Sequence, residues 1–271
     1  SNNEIGTWTS VSTGISSSLN SCEFILVGDK LYALGGIDNS SGHSESSPAV
    51  RYATIGTNGS IGSWTSASSM PAGRRHGRII IVNDRLYYIG GKVIRYIVEF
   101  SQSVEDSKAE VFYADIDSGG VTGSWSTSAN SLPQGRDRSC VALAREKIYI
   151  LGGEYNSNKQ STIYYADISG SSIGTWYTET TYTNSYMTCS DACSVVTNNT
   201  LYVIGGENSS GGSDNSYLAH WIGLTGYGGL ESPGWYSDVL LEDPPTATAY
   251  GTAVALTTKL YIVGGVNSSG A

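Results

Sequence analysis

Leu86-Tyr87-Tyr88-Ile89-Gly90-Gly91 decides the fold, because the chain writes this pattern five times. It recurs as Leu31-Tyr32-Ala33-Leu34-Gly35-Gly36, Ile148-Tyr149-Ile150-Leu151-Gly152-Gly153, Leu201-Tyr202-Val203-Ile204-Gly205-Gly206 and Leu260-Tyr261-Ile262-Val263-Gly264-Gly265. The first glycines stand at 35, 90, 152, 205 and 264, so the copies are 55, 62, 53 and 59 residues apart. A period of this size marks a structural unit that stacks on its neighbours. A second landmark runs in phase with it: Trp8, Trp64, Trp125, Trp176 and Trp235. Tyr52-Ala53, Tyr113-Ala114 and Tyr165-Ala166 form a third, with Leu218-Ala219 as a weaker fourth.

Each repeat reads as four short strands, here lettered a to d. In the first repeat, strand a runs from Cys22 to Val27 and strand b from Leu31 to Gly36. Strand c starts near Arg51-Tyr52, and strand d carries Trp64. The a–b connections are two-residue turns: Gly28-Asp29, Asn83-Asp84, Arg145-Glu146, Asn198-Asn199 and Thr257-Thr258. Gly, Asn and Asp tolerate the positive φ such turns require. No stretch sustains a 3.6-residue period. Strand b is apolar on both faces, as in a sheet covered on both sides. Four-stranded antiparallel sheets repeated along the chain predict an all-β fold, a β-propeller of four-stranded blades. The paired glycines let the backbones of adjacent blades approach, and the Trp and Tyr rings fill the wedge between them. Truncating one such ring is expected to cost about 3–5 kcal/mol.

The expected blades span about 21–66, 78–128, 139–178, 191–238 and 251–265, in one domain over 1–271. The last is closed by a d-type strand at 5–10 and lacks a strand c. Five blades are the expectation, with six or seven if the native polypeptide is longer.

Charge narrows the partners. Fifteen Lys and Arg face 24 Asp and Glu, for a net charge of −9, and only 14% of residues are charged. No basic track exists to release counterions from phosphates; the densest basic cluster is Arg74-Arg75-His76-Gly77-Arg78. Nucleic acid and anionic membrane are therefore not expected partners. No apolar run approaches the ~20 residues of a membrane-spanning helix. Cys22, Cys140, Cys189 and Cys193 show no zinc-type spacing and are expected as free thiols on strands, with a local Cys189–Cys193 disulfide as the alternative. The Gly-, Ser- and Tyr-rich, Lys-poor composition suits an extracellular or surface-exposed protein, with the cytoplasm as the alternative.

Trp64, Met70-Pro71-x-x-Arg74, Leu86-Tyr87-x-Ile89-Gly90-Gly91, Tyr113 and Trp125 together resemble the kelch repeat, as does Leu132-Pro133-x-x-Arg136 through Gly152-Gly153. The resemblance covers essentially the whole chain and implies the same β-propeller. The Pro-x-x-Arg element is missing from repeats one, four and five.

Strand order puts the short a–b and c–d turns on one face and the long, varied d–a and b–c loops on the other. Binding on rigid scaffolds concentrates in such loops. The candidate ligand-binding residues lie there: Arg74, Arg75, His76, Arg136, Arg138, Tyr182, Tyr186 and Tyr250. Arginine and tyrosine side chains can clamp a carboxylate or stack on a sugar. The longest b–c loop, from Lys92 to Glu110, is a candidate partner surface. Catalytic residues, metal and cofactor are not expected: there are three histidines, His43, His76 and His220, and no Ser-His-Asp spacing or phosphate-binding glycine loop. The two-Tyr, two-His, crosslinked-Cys set of kelch-type copper radical oxidases has no placement here.

The expected function is a non-catalytic recognition module for a protein or glycan. Two alternatives stand beside it. One is a sugar-modifying enzyme of the kelch epimerase type, with Arg74, Arg136 and His76 as its candidates. The other is a structural or assembly subunit of a surface or virion fibre, self-associating through the open blade at the termini.

Overall fold

A computed structural model describes residues 20–183, 188–208, 219–232, 234–238, 249–256 and 259–265. They fall into two compact units, Ser1–Ser131 and Leu132–Ala271, each described by itself.

The first unit holds two four-stranded antiparallel sheets. In blade 1, strand a is Glu23–Val27, b Lys30–Leu34, c Val50–Thr54 and d Thr65–Ser66. In blade 2 they are Arg78–Val82, Arg85–Ile89, Val111–Asp117 and Gly120–Thr127. Both sheets pair in the order a-b-c-d. The second unit repeats the plan. Blade 3 has strand a at Cys140–Ala144, b at Lys147–Leu151, c at Ile163–Ser169 and d at Ser172–Thr178. Blade 4 has Cys193–Thr197, Thr200–Ile204, Ala219–Gly223 and Tyr236–Asp238. In the fifth repeat the described residues form the a–b hairpin, Thr252–Leu256 against Lys259–Val263. The described residues thus contain four four-stranded blades and one two-stranded one. The strand expected at 5–10 lies outside them.

Strand b is the spine of every blade. Leu86, Tyr87, Tyr88 and Ile89 are all buried, as are Ile148, Tyr149, Ile150 and Leu151. Consecutive side chains point to opposite faces, so burial of all four means both faces are covered. One core in the first unit gathers Tyr32, Leu34, Leu86, Tyr88, Phe112 and Trp125. Its counterpart in the second gathers Tyr149, Leu151, Ile163, Leu201, Val203 and Ile222. Trp125 and Trp176 are buried; Trp64 and Trp235, just ahead of their short d strands, are half-buried.

A tyrosine pair crosses strands b and c in three blades: Tyr32–Tyr52, Tyr87–Tyr113 and Tyr149–Tyr165, with ring centroids 5.5, 5.8 and 6.2 Å apart. The first residue of strand b then lays its cation over the c-strand ring: Lys30 over Tyr52, Arg85 over Tyr113 and Lys147 over Tyr165. Cross-strand aromatic pairs contribute about 0.2–1 kcal/mol each and exposed cation–π contacts about 0.5–1 kcal/mol.

The glycine pair has a narrower job than a general loosening between blades. Both glycines of every pair have φ between +60° and +104°, a region that side chains with a Cβ rarely enter. A Cβ on Gly35 would collide with the Arg74 carbonyl of the next blade. The second glycine instead makes room for its own blade's d–a loop: a Cβ on Gly91 would lie 2.9 Å from the Arg75 carbonyl, and one on Gly206 2.9 Å from that of Ser190. In blade 1 the close approach to the next blade is therefore made at the first glycine, and the amide of the second glycine bonds the next blade's loop in blades 1 and 3. Gly36 N–H donates to the Arg74 carbonyl at 2.8 Å, and Gly153 N–H to that of Cys189 at 2.8 Å. All four cysteines carry free thiols, Cys140 and Cys189 buried and Cys22 and Cys193 half-buried. Among the described residues no helix is long and apolar enough to cross a membrane.

Candidate functional site

The site is built from one repeated piece of backbone. Just before strand a, the end of the d–a loop bridges to the residue after the glycine pair. The bridges are Asn20 to Ile37, Arg75 to Lys92, Asp137 to Glu154 and Ser190 to Glu207. Each ties the d–a loop to the root of the b–c loop. The next residue turns the chain into strand a, and it does so at positive φ every time: Ser21 (62°), His76 (52°), Arg138 (53°), Asp191 (55°) and Tyr250 (64°). Every one of these stands fourteen positions ahead of its first glycine, as 76 is to 90 and 138 to 152. Not one is glycine.

In the second unit this repetition brings three blades together. Asp191 N–H donates to the Arg138 carbonyl at 2.8 Å, and Tyr250 N–H to the Asp191 carbonyl at 3.0 Å. The side chains converge as well. Arg138 Nη1 donates to Asp191 Oδ2 at 3.2 Å and to the Tyr250 hydroxyl at 3.1 Å. Its guanidinium lies over the Tyr250 ring, 5.8 Å from the centroid. Burial disfavours the Arg138 charge, but Asp191 and then Tyr250 outweigh it and hold the guanidinium charged. Burial, then the Asp191 carboxylate, push the Tyr250 phenol up, so it stays protonated. Half of Tyr250 faces solvent. Lys159 pairs with Glu207 at 3.1 Å on the adjoining b–c loops.

In the first unit the charged contacts come from the bridge residue just ahead of the left-handed position. Arg75 pairs with Glu105, which also takes Lys92 Nζ at 3.0 Å. These three groups join the d–a loop to the long b–c hairpin of blade 2. His76 occupies the left-handed position and is half-buried.

Arg74 and Arg136 hold equivalent places, and both side chains are turned into their blades. Arg136 is 1% exposed; it donates to Gln134, to the Gly135 carbonyl, to Thr162 at 2.7 Å and to the Tyr164 hydroxyl at 3.0 Å. Its guanidinium lies over the Tyr164 ring. Arg74, 3% exposed, lies over Phe112 and pairs with Glu110 at 3.2 Å. Burial lowers the pKa of both guanidinia. They hold the start of strand c against the d–a loop.

Tyr182 is half-buried, and its carbonyl accepts the Trp235 indole N–H at 2.8 Å. Tyr186 lies outside the described residues. The structure therefore brings Arg138 and Tyr250 together and adds Asp191, which composition and spacing did not single out. Its signal in the sequence was its place, fourteen residues ahead of Gly205.

Comparison with known proteins agrees with this architecture. No family model matches the chain. The kelch-like protein terF of Aspergillus terreus is 29% identical over 132 residues, which are 47% of this chain and 26% of that protein. The chain thus matches about a quarter of that relative's length. Among solved structures, that of YjhT superposes with a TM-score of 0.69 at 16% identity, covering 92% of this chain and 78% of the other. At that identity the likeness concerns the fold alone, and the fold is a β-propeller with four-stranded antiparallel blades. The blade topology and the structural likeness define a β-propeller, and the partial match to a kelch-like protein agrees with the kelch resemblance of the repeats.

Proposed function

We propose that this protein is a recognition module, a five-bladed propeller, binding a protein or glycan through the face that carries the d–a and b–c loops. One observation carries the reading: the five residues Ser21, His76, Arg138, Asp191 and Tyr250 share one left-handed backbone position on that face. Holding a residue with a Cβ there costs about 1–2 kcal/mol, which glycine would avoid. Backbone strain of this kind clusters where a side chain serves a ligand. Here all five side chains are polar or hydrogen-bonding. In the second unit they also converge.

The chemistry of Arg138, Asp191 and Tyr250 narrows the ligand. Arg138 is already engaged by Asp191, so a ligand carboxylate has to displace an internal one. The Tyr250 ring, half open, suits the apolar face of a sugar or an aliphatic side chain. The Asp191 carboxylate suits a hydroxyl or amide donor.

The test is an array of glycans and peptides probed with the full chain and with the R138A/Y250A variant. The wild type is expected to bind a defined set that the variant loses. Binding of the same set by both proteins, or of nothing by either, contradicts the reading.

A further inference from the structure

The b–c insertion of blade 2 is a hairpin, Lys92–Ile97 paired with Gln102–Ser107. Its root is fixed on three sides. Arg75 bridges Lys92 through the backbone, and the Arg75–Glu105–Lys92 ion pairs clamp both strands. The Ser46 hydroxyl, from the b–c loop of blade 1, accepts Ile94 N–H at 2.8 Å and donates to the Lys92 carbonyl at 3.2 Å. The His43 imidazole stacks on the Tyr96 ring at 3.5 Å with 7° between planes. The shaft is thus rigid up to Tyr96. Beyond it the chain turns through a short 3-10 segment, Val98–Phe100, closed by Ser101 at φ 49°. Val98 is 78% exposed and Phe100 71%. They are the most exposed valine and phenylalanine among the described residues, on either side of exposed Glu99. Nothing in the hairpin's own pairing needs them to be apolar.

We propose that Val98-Glu99-Phe100 is a docking prong for a partner protein offering an apolar pocket rimmed by lysine or arginine. Phe100 and Val98 supply apolar anchors, and rigid mounting limits the ordering cost of binding. Glu99 sets the sign of the rim. A second copy of this chain is a poor occupant. Its net charge is −9, and nine of its 15 Lys and Arg already pair with its own carboxylates. An anionic bilayer is disfavoured by the same acidity. The proposal rests on reading the long-loop face as a recognition surface, and it names the partner chemistry of one loop on it.

The probe is a phage-displayed library of random dodecapeptides, panned on the wild-type chain and counter-selected on V98S/F100S. Both side chains are exposed, so the variant is expected to unfold at the wild-type temperature, which circular dichroism checks. Enriched peptides are expected to combine Leu, Ile, Phe or Trp with Lys or Arg. The best of them, synthesised, should lose about tenfold or more in affinity against V98S/F100S and against E99K. It should weaken as salt rises and bind R138A/Y250A normally. Peptides that bind both proteins alike, or that are lost in R138A/Y250A as well, overturn the prong. So does a concentration-dependent dimer, or binding to phosphatidylcholine vesicles, that V98S/F100S abolishes. Failure of the prong while array ligands still require Arg138 and Tyr250 leaves the broader recognition reading standing.

Discussion

Tyr149, on the spine of blade 3, donates its hydroxyl to the Gly228 carbonyl of blade 4 at 2.9 Å. The same tyrosine of blade 1, Tyr32, accepts the Val121 N–H of blade 2 at 2.9 Å. The strand-b tyrosine therefore does two jobs. Its ring fills the core, and its oxygen satisfies a backbone group in or just after the next blade's c–d turn. Removing that oxygen leaves the Gly228 carbonyl with one partner fewer in a buried place. Tyr149→Phe should lower stability by about 1–2 kcal/mol, read as an earlier urea midpoint with an unchanged slope. An unchanged midpoint would show that water replaces the hydroxyl.

The glycine pair makes a sharper prediction. A Cβ on Gly153, at φ 87°, would stand 2.5 Å from the Asp137 carbonyl oxygen and 2.8 Å from Ser139 Cα. Gly170, at φ 56° in a c–d turn, has nothing within 4 Å of the same point. Gly153→Ala combines backbone strain with overpacking and should cost roughly 2 kcal/mol or more. Gly170→Ala should cost only the strain, about 1 kcal/mol. Equal losses in thermal or chemical unfolding would mean that the d–a loop is free to move aside.

His220 makes the stability pH-dependent. It lies on strand c of blade 4, opposite Val203, and is buried. Burial lowers its pKa from the ordinary 6.5. The unfolded chain thus takes up this proton at a higher pH than the folded one. The contribution of neutral His220 is complete above about pH 6.5 and is lost as pH falls through the folded value. The melting temperature of the wild type should fall between pH 7 and 5 more steeply than that of His220→Gln. Parallel curves would show that His220 titrates alike in both states.

Most of the architecture was legible because its causes repeat. Five copies of a strand ending in two glycines, in phase with Trp64, Trp125 and Trp176, leave little choice of element or order. The placement of the arginines was not legible. Arg74 and Arg136 share a motif with the loop residues beside them, and spacing does not tell whether a long side chain turns outward or inward. What turns them inward is an aromatic at the second position of strand c, Phe112 or Tyr164, which loops of unequal length place 38 and 28 residues downstream. Asp191 escaped notice for the opposite reason. Its residue type is ordinary, and in the sequence only its place marks it out, fourteen residues ahead of Gly205 as Arg138 is of Gly152. Arg138 was drawn from the chemistry of its side chain, but its partners follow from that shared geometry.

The claim at the centre of this account is that the side chains at the left-handed positions are kept for what they contact outside the fold. Chemical denaturation of Tyr250→Gly tests it most directly. Glycine relieves the strain at φ 64° but adds freedom to the unfolded chain, two effects of similar size, about 1 kcal/mol each. The half-exposed contacts with Arg138 that are also lost are worth about 0.5–1 kcal/mol, so the account predicts a stability within about 1 kcal/mol of the wild type. A loss well beyond 1 kcal/mol would make Tyr250 a structural residue and contradict it.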